Sequence, residues 1–414
     1  MTQQVLVVGG GASGMMAAGR AAECGADVVL LEKTPRLGNK LRLTGKGRCN
    51  ITNQSDLSDF IAHFHETGPF LYGALSRFSV ADLLAFLEAR GVATVVERGG
   101  RVFPASNDAR QVVDAFEGYL VGTRVRVLRN HPVEQVLLQD GRVRGVASRG
   151  RELSASAVIL AAGGSSYPRT GSTGDGYRLA AAVGHSIVPV RPALVPLVVA
   201  NEWIEHLQGL SLRNVEATVL LDEETIARQS GEMLFTHFGV SGPIILSLSK
   251  TAVDALSRGR VVLSLNLVPG ASIEDLDARL RHELEKQGRR RLGSTLATIV
   301  PSSMVGVITA LLHVPPDKVG HQITAAERRR LAAQLHNLRL NVTGARPIAE
   351  AIVTAGGVDT REVNPRTMES LLVSGLFFCG EVLDIDADTG GYNLQAAFST
   401  GYLAGESAAR QAVS

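Results

Sequence analysis

The sequence predicts an α/β fold in which one discontinuous domain is interrupted by an inserted domain, and three observations carry that prediction. First, the apolar run Val5, Leu6, Val7 and Val8 leads into Gly9-Gly10-Gly11-Ala12-Ser13-Gly14 and then into small and apolar residues through Ala22. Second, a further apolar run over residues 27–31 closes on Glu32, eighteen residues after Gly14. Third, residues 193–343 differ in texture from what flanks them, and the α/β pattern resumes near Ile348. Strand, glycine-rich turn, helix, strand and acid in that order make a Rossmann-type βαβ unit.

Each glycine of that turn has a physical task. Gly9 allows the tight turn, Gly11 lets backbone approach a pyrophosphate, and Gly14 lets helix pack on strand. Ala12 and Ser13 then present free N–H groups at the positive end of the helix dipole. Glu32, with Lys33 beside it, stands where an acid takes the hydroxyls of an unphosphorylated adenosine ribose. This unit alone does not separate FAD from NAD.

Residues 37–53 come next: Gly38 and Lys40, then Gly45, Lys46, Gly47, Arg48, Cys49, Asn50, Ile51, Thr52 and Asn53. Apolar content is too low for a core element, and donors are dense. The segment reads as a functional loop that wraps a pyrophosphate, a ribityl chain or a flavin edge. Residues 133–138 and 142–147 read as a β-hairpin across Asp140-Gly141, with Val133 opening it beside the nucleotide. Residues 158–164 form another buried strand that ends in Ala161, Ala162, Gly163 and Gly164.

Near the C-terminus an apolar run closes on Gly380-Glu381, followed by Asp384 and by Gly390-Gly391-Tyr392-Asn393-Leu394. An alanine- and glycine-rich helix is expected over 396–409. Glu381 is a ribityl-hydroxyl acceptor in this reading, and the helix N-terminus stabilises negative charge on a reduced flavin ring. The cofactor is therefore expected to be FAD. No second G-x-G-x-x-G follows a strand, so NAD(P)H is expected only as a transient electron donor.

The domains are placed at 1–192 and 344–414 for the nucleotide-binding part and 193–343 for the insert, a substrate or lid domain. Within the insert, 193–270 reads as β-rich and 271–336 as helical, with breaks at Pro301, Pro315 and Pro316. Lys plus Arg number 42 against 40 Asp plus Glu, a net charge of +2 that excludes a strongly charged partner overall. Residues 270–346 nevertheless hold twelve Lys/Arg against seven Asp/Glu. Solvated helix faces explain this bias, and RNA phosphates are the alternative. Cys24, Cys49 and Cys379 have no metal-ligand spacing, so no metal site and a reducing, cytoplasmic setting are expected. No membrane span is expected.

Four segments carry a resemblance. Residues 45–53, G-K-G-R-C-N-I-T-N, resemble the S/T-G-x-G-R-C-N-x-T-N loop of the BaiN/YhiN-like flavoproteins, the aminoacetone-oxidase-like FAD family. Residues 170–177 (T-G-S-T-G-D-G-Y), 233–243 (M-L-F-T-H-F-G-V-S-G-P) and 380–384 with 389–393 (G-E-V-L-D, T-G-G-Y-N) are similar to the remaining signatures. Lys46 departs from the glycine usual at its position. The resemblance implies a glutathione-reductase-like FAD domain split by an inserted β-barrel-like plus helical domain. It implies an oxidoreductase acting on an activated C=C of a small molecule, on uridine in ribosomal RNA, or on an amine. Adding hydride to C=C requires a proton donor, and Cys49, His237 and Tyr392 are the candidates because their motifs approach the ring. Arg48 and Lys40 are expected to neutralise phosphate or orient substrate.

Overall fold

The computed structural model describes residues 4–286 and 289–413. It divides into two compact units, Met1–Pro192 with Ile348–Ser414, and Ala193–Pro347.

The first unit is built on a parallel sheet. Strand β1 (Gln4–Val8) lies between β2 (Asp27–Glu32) and β4 (Ala157–Leu160); β3 (Arg126–Arg129) pairs with β2, and β5 (Leu376–Phe378) with β4. The order β3-β2-β1-β4-β5 is that of a Rossmann half, with Val5 opposite Val28 on one side and Ala157 on the other. Val5, Leu6 and Val7 are fully buried, as an unbroken apolar run in a parallel sheet covered on both faces must be. Helix α1 (Ala12–Glu23) follows β1, and the long α2 (Tyr392–Val413) packs against it. Their contact is tied by Glu406, whose side chain is only 5% exposed and accepts from Arg20, Arg77 and Arg410.

An antiparallel meander of Val133–Gln139, Arg142–Ser148 and Arg151–Ser154 lies between β3 and β4 in the chain. The expected hairpin is its first half. A small sheet joins Thr52–Asn53, Arg101–Pro104 and Thr94–Val96. The C-terminal helix starts at Tyr392 rather than 396, so the Tyr392-Asn393-Leu394 signature occupies its first turn.

The second unit contains a closed antiparallel barrel in the order Leu197–Val199, Gly239–Ser241, Glu224–Thr236, Ser211–Leu221, Val261–Asn266, Leu338–Ala345. Helices Ile273–Lys286, Leu292–Leu296, Ser302–Leu312 and Ala325–His336 lie between its last two strands in sequence. The unit ends at Pro347 rather than 343, because its last strand runs through Ala345. Of the basic run on the last helix, Arg328 pairs with Asp277, while Arg329 and Arg330 are exposed. Among the described residues no single helix is long and apolar enough to cross a membrane, and no His/Cys/Asp/Glu group could hold a metal ion.

Candidate active site

The glycine turn behaves as three separate positions. Gly9 has φ +107°, and a Cβ there would lie 2.4 Å from the Ala161 carbonyl oxygen; a Cβ on Gly14 would lie 1.8 Å from the Gly9 oxygen. Both glycines are required by the protein itself. Gly11 is different. Its backbone is extended (φ −81°, ψ −169°), and a Cβ there meets nothing within 4 Å. Gly11 is also the N-cap of α1, with no side-chain cap and no acid in the first turn. An open position beside an uncapped helix N-terminus suits an anionic ligand.

Glu32 ends β2 and holds this corner together. Its Oε2 accepts from the Gly10 N–H at 2.7 Å and its Oε1 from the Thr34 N–H at 2.7 Å. The His131 N–H donates to the Glu32 carbonyl, which brings the start of the meander, with Val133 buried, to the same corner. Lys33 turns away to Asp175 at 2.6 Å and Thr173 at 2.5 Å. Burial alone would raise the Asp175 carboxyl, but the hydrogen bond and charge of Lys33, with the Thr173 hydroxyl and the Arg178 charge, together outweigh it and hold it below the ordinary range.

Four segments meet at Glu381. Lys40 Nζ donates to both its oxygens, at 2.6 and 2.8 Å, and to Ser166 Oγ at 2.6 Å. Glu381 Oε1 also accepts from the Thr354 N–H at 2.9 Å. Thr354 Oγ1 in turn accepts from the N–H groups of Ser165 and Ser166, just beyond Gly164. Gly380 abuts Ser13, where a Cβ would lie 2.4 Å from the hydroxyl, so the C-terminal Gly-Glu reaches the first turn of α1. Asp384 is held by its backbone N–H to Val358.

The loop 37–53 is not a helix in its middle. Gly45, Lys46, Gly47 and Cys49 all have positive φ, and Lys46 at +59° sits where glycine is the easier residue. Gly38 donates to the Gly10 carbonyl, closing the loop onto the glycine turn. Arg48 pairs with Glu97 and Asn107, and its guanidinium lies 4.1 Å from the Phe103 ring centroid. Lys40 and Arg48, expected as partners of phosphate or substrate, both have carboxylate partners here. Asn50 Oδ1 and Thr52 Oγ1 are buried with no hydrogen-bond partner among the described residues.

The C-terminal loop closes on this segment. Asn53 Nδ2 donates to the carbonyls of Gly99 and Gly390, and Gly391 packs against the Thr52 backbone. Asn393 exchanges hydrogen bonds with Ala387 and donates to the Asp388 carbonyl, while Leu394 is half-buried. Tyr392 is buried between Phe60, edge-on at 4.8 Å, and His63, stacked at 3.9 Å. Burial pushes its phenol up. His63 Nδ1 lies 2.9 Å from Asp388 Oδ2.

The three proton-donor candidates fare differently. Cys49 is fully buried, and burial pushes its thiol up to about 12, which favours packing over proton transfer. Tyr392 lies in the C-terminal loop with its hydroxyl 3.4 Å from Ser55. His237 is exposed at the turn between Glu224–Thr236 and Gly239–Ser241 of the second unit, edge-on to Phe238. Sequence reasoning did not single out His63, Asp388, Ser166 or Thr354. Asp388 directly precedes Thr389-Gly390-Gly391, and that adjacency is the one signal that pointed to any of them.

The arrangement fits a dinucleotide: an open Gly11, an uncapped helix end, an acid at the end of β2 and unmet polar atoms in the donor-rich loop. Comparison with known proteins agrees. The model of the HI0933-like protein Rossmann domain matches residues 3–407. The chain belongs to this family. Its relatives include a 3-dehydro-bile acid delta(4,6)-reductase of Clostridium scindens, 32% identical over 98% of both chains. A ribosomal RNA dihydrouridine synthase of Escherichia coli is 30% identical over 96% of both. Among solved structures, 3-ketosteroid delta1-dehydrogenase from Sterolibacterium denitrificans shares the fold with a TM-score of 0.54 at 14% identity, covering 99% of this chain and 100% of that one. The chain is an FAD-dependent oxidoreductase with a Rossmann-type domain and an inserted domain.

Proposed function

We propose that this HI0933-like protein reduces an activated, conjugated C=C bond of a small molecule, with NAD(P)H as the electron source and bound FAD as the carrier. One observation carries the reading: the match to a bile acid reductase runs over 98% of both chains, so it spans the insert as well as the nucleotide-binding part. FAD, when bound, supplies hydride transfer. The chain's part is to hold it. Gly11 and the first turn of α1 would face the pyrophosphate, Glu32 the adenosine ribose, and Glu381 with Lys40 the ribityl chain. Asn50, Thr52 and the 390–394 segment would face the ring. With one glycine-rich unit in the chain, NAD(P)H is a transient visitor. Three free cysteines support a cytoplasmic setting.

The test is product analysis. Purified protein with FAD and NADPH or NADH, offered a steroid-like enone, should return the acceptor carrying two added hydrogens by mass spectrometry. Failure with every conjugated acceptor would overturn the reading.

A second reading draws on the relative named for dihydrouridine synthesis, at nearly the same identity. The C5=C6 bond of uridine is also a polarised C=C, and Arg329 and Arg330 are exposed. On that reading, binding to ribosomal RNA weakens steeply with salt. Salt-insensitive or absent RNA binding would leave the small-molecule reading alone.

A further inference from the structure

We propose that His63 donates the proton in the reduction, with Asp388 as its positioning residue and Tyr392 as the surface against which its ring lies. The proposal rests on the reductase reading. In that reaction the π bond of the substrate breaks and two C–H bonds form. One takes a hydride equivalent, two electrons with one hydrogen, from the reduced flavin. The other takes a proton from the chain. For His63 that means the Nε2–H bond of the imidazolium breaks, its electron pair stays on nitrogen, and water later restores the proton.

The geometry singles out His63. Its side chain is 30% exposed, whereas Cys49 is fully buried and Tyr392 is 5% exposed. The ring is fixed in three ways. Nδ1 lies 2.9 Å from Asp388 Oδ2, the Asp388 N–H donates to the His63 carbonyl at 3.3 Å, and the ring stacks on Tyr392 with its centroid 3.9 Å away. Asp388 is itself pinned, because its carbonyl accepts from Asn393 Nδ2 at 3.3 Å. Nε2 has no hydrogen-bonding partner among the described residues. A histidine held through Nδ1 by a carboxylate, with Nε2 turned to other work, is the arrangement an acid–base group needs. Donation from Nδ1–H to Asp388 persists whether the ring is charged or neutral, so the ring keeps its place after it has given up its proton.

Asp388 and His63 are joined to the C-terminal signature, the segment proposed above to face the flavin ring. Tyr392, Asn393 and Gly390 belong to that signature, and each makes a contact that fixes the pair or its loop. Other titratable groups lie beside the pair. His65 lies with Nε2 4.0 Å from Asp388 Oδ1, and Asp59, on the helix Leu57–Ala62, acts on Tyr392.

The experiment uses the full chain loaded with FAD. His63→Ala should lower kcat for C=C reduction about 100- to 1000-fold, with KM and the rate of flavin reduction by NAD(P)H each within about threefold of wild type. Added imidazole should restore part of the lost rate. The second readout does not depend on turnover. Nitrogen NMR of the histidine-labelled chain without FAD should show His63 protonated at Nδ1, and Asp388→Asn should abolish that preference while the melting temperature stays close to wild type. Turnover of His63→Ala equal to wild type overturns the proposal and leaves the reductase reading standing. A wild-type His63 unprotonated at Nδ1 overturns the role of Asp388. A wild-type chain that reduces no conjugated C=C overturns the reductase reading, and this proposal with it.

Discussion

Gly11 separates what the protein needs for folding from what it needs for its cofactor. A Cβ at this position meets no protein atom within 4 Å, and the backbone is in a region open to alanine. Gly11→Ala should therefore fold, with a loss under about 1 kcal/mol from replacing glycine at an N-cap. The space that the methyl group fills is the space assigned to the pyrophosphate. Crowding a well-packed contact by one carbon costs about 1–3 kcal/mol, which corresponds to FAD affinity weakened roughly 5- to 150-fold. Gly14→Ala is the contrasting case. Its Cβ would lie 1.8 Å from the Gly9 oxygen and 3.3 Å from the Ala161 Cβ, so the glycine turn itself must move. That variant should lose more than about 3 kcal/mol of apo stability. The assay is a thermal melt of each apoprotein beside a titration with FAD followed by flavin fluorescence. Gly11→Ala binding FAD as tightly as wild type, or melting as low as Gly14→Ala, would refute the reasoning.

Three further outcomes are expected. Arg77, with Arg20 and Arg410, holds the buried Glu406 carboxyl down to about 2, so its contribution is full above the ordinary carboxylate range and is lost as pH falls toward 2. Glu406→Gln should thus cost about 2 kcal/mol in urea melts at pH 7 and less than about half of that near pH 3, and an equal deficit at both would count against the role of the Glu406 charge. Of the three free cysteines only Cys24 is not fully buried, and burial pushes the Cys49 and Cys379 thiols up to about 12. A thiol reagent should then titrate one group in the native protein and the rest only after unfolding, and rapid reaction of Cys49 would revive it as a proton donor. Tyr392→Phe keeps the ring between Phe60 and His63 and loses only a long contact to Ser55, so its turnover should stay within about threefold of wild type. A drop as deep as that of His63→Ala would transfer the proton role to the phenol.

The parts of the fold that could be read from sequence are those where local chemistry dictates structure. Four consecutive apolar residues before a glycine turn can be little else than a buried parallel strand, and Glu32 followed from spacing alone. The insert was harder. The strand Glu224–Thr236 is largely exposed and only sparsely apolar, and the turn before it is made by Asp222 and Glu223 at positive φ without a glycine, so neither period nor turn signal marks it. The same holds for the end of the insert, where Gly344 and Ala345 continue a strand that their composition does not suggest. The site divides along the same line. Single motifs picked out Gly11, Glu32, Glu381 and Tyr392 as candidates. Pairings that only folding creates stayed hidden: Lys40 with Glu381, 341 residues apart, and His63 with Asp388, 325 apart. Lys40 and Arg48 looked like free cations because their carboxylates lie in other segments.

The most direct test of the central claim is an anaerobic titration of the FAD-loaded protein, followed at roughly 450 nm, the oxidised-flavin band. NADPH or NADH should bleach the band, and a conjugated enone should then restore it. A protein that binds no FAD, or one whose bound flavin neither nucleotide reduces, would contradict that claim.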